Sequence, residues 1–103
     1  MSRRDPAAPL VRALIADAAA AGCPACAVTT ATTDWSSATF TGARHRIVLS
    51  APPGAALAGW LRRLPGATLS LPRQLLGELA IDRIDRAGPE HRIALSALTL
   101  DDR

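Results

Sequence analysis

A chain of 103 residues, 49% hydrophobic and 20% charged, has the composition of one folded domain, which excludes a disordered tail or linker. Its net charge is only +3, and Arg supplies all 12 of its positive side chains. Lys, Tyr and Asn are absent, so Schiff-base chemistry, a phosphate-loop lysine and a phenolic acid are excluded. Trp35, Phe40 and Trp60 are the only aromatic residues, and the core must be built from Leu, Ile, Val and Ala. The Lys-free, Ala- and Arg-rich usage is that of a GC-rich bacterial genome.

In chain order, Asp5-Pro6 reads as a helix start, because Asp accepts a free N–H and Pro has none to leave unsatisfied. Leu10, Val11, Leu14, Ile15, Ala18 and Ala19 then recur at helical spacing, and Gly22 stands where the helix should stop. A lipoprotein signal ending at Cys23 is the rival reading of this opening. It is disfavoured, because Arg12 and Asp17 interrupt the apolar stretch and Pro6 and Pro9 stiffen its start. No stretch approaches the ~20 apolar residues of a membrane span.

Ala25–Thr33 and Trp35–Thr41 are rich in Val, Thr and aromatics and predict two strands punctuated by Asp34, with a third over His45–Ser50. Pro52-Pro53-Gly54 opens a second helix, whose stripe is Leu57, Trp60, Leu61 and Leu64. Ala67–Leu71 alternates like a strand. Residues 72–80 admit either a short helix or a strand, and strand is favoured. Leu79–Arg86 and His91–Leu100 form a hairpin across Ala87-Gly88-Pro89-Glu90.

The organising feature is a repeat. His45-Arg46-Ile47-Val48-Leu49-Ser50-Ala51 returns 46 residues later as His91-Arg92-Ile93-Ala94-Leu95-Ser96-Ala97, with one position changed. Arg73–Glu78 falls opposite Ala27–Thr32 in the same alignment, which is why strand is favoured there. The expected fold is an α+β two-layer sandwich: a mainly antiparallel sheet of about five or six strands, two helices on one face, and a duplicated helix-plus-strands unit over residues 5–51 and 52–100.

Chemistry is thinly signalled. Cys23-Pro24-Ala25-Cys26 has redox spacing, but a helix precedes it where a redox site needs one to follow, and small inert thiols are the favoured reading. Cys23, Cys26, His45 and His91 make a possible zinc set with the spacing of no compact finger. The two His open equivalent strands and are expected at the rim of the core as structural residues. The Thr-rich stretch reads as solvent-facing strand. Arg44, Arg46, Arg62, Arg63 and Arg73 could meet phosphate, yet stacking aromatics and any nucleic-acid motif are missing.

The sequence therefore predicts a small cytoplasmic, non-catalytic domain without a cofactor, acting through protein–protein contacts or self-association as a homodimer through its sheet. An Arg-mediated nucleic-acid binder is the first alternative, and a thiol or metal protein through Cys23 and Cys26 the second. Arg46, Arg92, His45, His91 and Trp35 are the candidate binding residues.

Overall fold

The computed structural model describes residues 5–101. Two helix-plus-hairpin units follow one another: α1 (Ala8–Ala20), β1 (Cys26–Ser36) and β2 (Thr41–Ala51), then α2 (Ala55–Arg63), a 3-10 turn at Leu64–Gly66, β3 (Gln74–Asp85) and β4 (His91–Asp101). The four strands form one antiparallel sheet in the order β1-β2-β4-β3. Both helices pack on one face of it, as expected for the α+β class.

The first helix is delimited at both ends by local chemistry. Asp5 accepts the Ala7 N–H through Oδ1 at 2.9 Å, and its backbone carbonyl accepts from Ala8, so the chain turns through Pro6-Ala7 before α1 begins. Asp5 therefore caps the approach to the helix, two residues earlier than a simple N-cap would. At the other end Gly22 adopts φ 83°, which costs glycine nothing. The Cys23 N–H reaches the Ala18 carbonyl and the Gly22 N–H that of Ala19, both at 2.9 Å. These two bonds make a Schellman stop, and Cys23 with Ala18 forms the buried contact that accompanies it.

The core is a single cluster. Leu10, Leu14 and Ala18 of α1 meet Leu57 and Trp60 of α2, Leu64 just beyond, and Ile47, Leu49, Ile93 and Leu95 of the two central strands. Trp60 is buried and donates from Nε1 to Asp17 Oδ2 at 2.8 Å, tying one helix to the other. With so few aromatics available, this indole fills the space between helices that smaller side chains would leave open.

The repeat is legible in the strand register. Val48 pairs directly with Ala94, and these two residues are equivalent in the duplicated heptapeptide. The local pseudo-twofold axis thus runs through that pair, placing Ile47 against Leu95 and Leu49 against Ile93. The outer strands keep a different offset. Thr30 is the partner of Ile47 and Ile84 that of Ile93, a spacing of 54 residues where the repeat has 46. The longer connection from α2 to β3 absorbs the difference.

Three expectations need correcting. Ala25–Thr33 and Trp35–Thr41 are not two strands: β1 runs continuously through Asp34, and the chain reverses at Ser37–Phe40. There the Ser37 Oγ accepts the Phe40 N–H at 3.2 Å and the Ser37 N–H donates to the Phe40 carbonyl at 2.8 Å. A serine side chain makes the turn, so the Asp punctuation was misleading. Ala67–Leu71 is not a strand either; it is connection, closed by an isolated bridge from Leu71 to Gln74. The sheet accordingly has four strands and not five or six.

A candidate interaction face

Antiparallel register assigns every strand residue to a face, and residues paired across strands share it. The helix-covered face carries rows such as Thr30–Ile47–Leu95–Ile81 and Thr32–His45–Ala97–Leu79. The opposite face has no helix over it among the described residues. Its rows, from the β1–β2 turn downward, are Trp35–Gly42–Leu100–Leu75, then Thr33–Arg44–Leu98–Glu78, then Ala31–Arg46–Ser96–Ala80. Below these come Thr29–Val48–Ala94–Arg83 and Cys26–Ser50–Arg92–Asp85.

This open face has two characters. Its first row is apolar across all four strands, and Leu75 in it is 55% exposed. Gly42 is required there, because a Cβ at that position would lie 2.0 Å from the Thr99 carbonyl oxygen. Leu98, in the second row, is nearly buried although no layer covers it. Its neighbours across the strands are Arg44 and Glu78, whose methylene stems can shade it while their charges stay wet. Further down, the twist of the sheet makes a shallow concavity of about 790 Å³. Arg44, Arg46 and Arg83 stand around it, Val48 and Ala94 line its floor, and Asp82 shares it while accepting from Ser96 Oγ at 2.6 Å.

The candidate binding residues divide between the two faces. Arg46, Arg92 and Trp35 lie on the open face, in its third, fifth and first rows. Arg46 and Arg92 are two rows apart, about 13 Å along the strands. His45 lies on the covered face and is only 1% exposed, so it is not at the rim where it was expected. Its Nδ1 is 2.9 Å from Thr32 Oγ1 and its Nε2 2.9 Å from Thr99 Oγ1. Thr99 Oγ1 donates in turn to the Ala43 carbonyl at 3.5 Å, which leaves it an acceptor for an Nε2–H. Burial lowers the pKa of this ring, and the nearby Asp5 carboxylate acts in the opposite direction. His91, its repeat equivalent, is half-buried at the N-terminus of α2 beside Gly54, Leu57 and Ile84.

The two cysteines are free thiols in different surroundings. Cys23 is sealed into the core at the end of α1, where desolvation raises its pKa, and Cys26 is exposed at the start of β1. Among the described residues no group of three or more His, Cys, Asp or Glu side chains could hold a metal ion. Nor is any described helix long and apolar enough to cross a membrane.

Arg44, Arg83 and Asp82 complete the open face beside the residues the repeat singles out. Period-two alternation through Arg44 and Arg46 signals the first of these. The bulge that turns Asp82 towards Ser96 has no such signal.

The fold and face define a two-layer α+β protein with one sheet face that no described helix covers. No protein-family model matches the chain, and no curated protein matches it. Among solved structures it is similar to a chain in the virion of a native gene transfer agent particle, with a TM-score of 0.64 and 21% identity. The likeness covers 98% of this chain and 100% of that one. It places the whole fold, both helix-plus-hairpin units included, beside that of a virion component.

Proposed function

We propose that the chain is a non-catalytic structural subunit of a particle related to the gene transfer agent virion, made in the cytoplasm and working by assembly with other particle proteins. The observation that carries this reading is the end-to-end likeness to a virion chain, covering 98% of this chain and 100% of that one. The surface fits the role. A sheet face with an exposed apolar row at one end and arginines interleaved with acids below is that of a contact surface, with an apolar anchor and a hydrated rim. Trp35, Leu75 and Leu100 would supply the anchor, and Arg44, Arg46 and Arg92 the polar contacts.

Nucleic-acid binding through Arg44, Arg46 and Arg83 is the weaker reading. Asp82 sits among these arginines, and none of the three aromatic residues lines the concavity. The test is genetic. Deleting the gene should abolish complete particles, wild-type chain should restore them, and Leu98→Asp or Arg46→Glu should restore few or none. Particles assembled in normal number and composition without the chain would overturn the reading.

A further inference from the structure

Both outer strands of the sheet have an edge to which no described strand pairs, and the two edges differ in kind. β3 is protected. It carries Glu78, Asp82, Arg83 and Asp85 within 12 residues, and its register is broken twice, at Gly77 and at Asp82. Charges and bulges are the usual means by which a sheet edge avoids pairing with another chain. β1 lacks these defences. Over its 11 residues the one charge is Asp34, there is no Pro, and its single bulge, at Val28, lies near the start. From Thr29 to Ser36 it is a regular strand, mostly exposed and rich in threonine.

We infer that β1 is a self-pairing edge: two copies of the chain join β1 to β1, antiparallel about a twofold axis at Ala31, into one continuous sheet. This contact rests on the assembly reading above only for its use in a particle. The threonines of β1 favour this register, and the contrast with β3 favours a closed pair of copies. Antiparallel pairing about Ala31 sets Thr29 opposite Thr33 on the open face, a favourable cross-strand pair, and Thr30 opposite Thr32, whose hydroxyls stay on Asp5 and His45. The same register sets Asp34 of one copy opposite Val28, the exposed bulge residue, of the other, so the regular pairing runs over Thr29–Thr33. Head-to-tail pairing of β1 with β3 would meet the bulges and charges of β3, so the pairing closes as a dimer and does not propagate. An axis perpendicular to the sheet leaves the helices of both copies on one side and both open faces on the other. The dimer thus presents its paired rows to a further partner as one surface.

The test uses the full chain at tens of micromolar. Sedimentation should give the mass of two chains, and Ala31→Lys, which sets two ammonium groups opposite each other at the axis, should weaken the dimer at least tenfold with an unchanged far-UV spectrum. A second measurement does not depend on how that variant folds. Residues opposite each other in an antiparallel pair have Cα atoms about 4.5–5.5 Å apart, within disulfide range. Ala31→Cys in a Cys26→Ser background should therefore cross-link on mild oxidation. Thr29→Cys in the same background should not, its two copies being about 13 Å apart. A wild-type mass of one chain, a dimer that survives Ala31→Lys, a dimer lost instead on Leu98→Asp, or equal cross-linking at both positions would each overturn the inference. A chain that dimerises in this way yet never enters particles would contradict the particle reading and leave this one standing.

Discussion

His45 holds its ring between Thr32 and Thr99 hydroxyls inside the covered layer, and its environment fixes how stability should respond to acid. The folded pKa is lowered, chiefly by burial. Around the unperturbed value of about 6.5 the unfolded ring takes up a proton that the folded ring refuses. His45 therefore contributes no acid penalty well above pH 6.5, and stability should fall as pH drops through that value towards the lower folded pKa. Urea unfolding at pH 7.5 and 5.5 checks this: wild type should lose stability between them, and His45→Gln should lose less. An equal slope in both proteins would contradict it. The cysteines make a second residue-scale prediction. A thiol reagent at neutral pH should modify Cys26 alone, and Cys23 only on unfolding. Cys23→Ser should cost about 1–3 kcal/mol, since a hydroxyl replaces a desolvated thiol in the core, while Cys26→Ser should stay within about 0.5 kcal/mol. Modification of Cys23 in the folded protein at the same rate as Cys26 would refute this account.

At the scale of elements, much was legible in the chain because the signals are local and periodic. The stripes Leu10–Leu14–Ala18 and Leu57–Trp60–Leu64 are the buried stripes of the helices. Gly22 is the stop it promised to be, and residues from Gln74 onward are strand, as the repeat argued. The misreadings share a cause. Asp34 reads as a break because Asp favours turns, but the serine at position 37 makes the turn and Asp34 simply rides in an edge strand. Ala67–Leu71 alternates like a strand but has no neighbour to pair with, and pairing is a tertiary fact. His45 reads as a rim residue because the repeated segment opens on it, but the strand begins four residues earlier, at Thr41. Two substitutions probe element geometry. Gly42→Ala should cost about 1–3 kcal/mol in chemical denaturation, because its methyl would strike the Thr99 carbonyl. Arg73 turns between Pro72 and Gln74 with φ 58°, a conformation that glycine adopts freely. Arg73→Gly should therefore raise stability by up to about 1 kcal/mol, and a loss would show that the Arg73 side chain outweighs its backbone strain.

For the molecule as a whole, the duplication does more than repeat a core. It puts Val48 against Ala94 on the axis, so the two central strands present equivalent rows around one point of the open face. The candidate face was partly readable for the same reason: alternation in the repeat sets Arg46 and Arg92 on one side and the isoleucines on the other. The apolar first row was not readable, since it depends on Trp35, Gly42, Leu100 and Leu75 coming into register across four strands. The face that no described helix covers gathers Arg44, Arg46, Arg83 and Asp82 around one concavity. The proposed role in a particle would put this surface against other particle proteins. Its most direct test is to tag the chain in cells that encode it, separate a lysate on a density gradient, and follow the chain alongside particles seen by electron microscopy. Wild-type chain should band with the particles, and Leu98→Asp should shift it to the slow-sedimenting protein at the top. Wild-type chain found only at the top, with intact particles banding without it, would contradict the account.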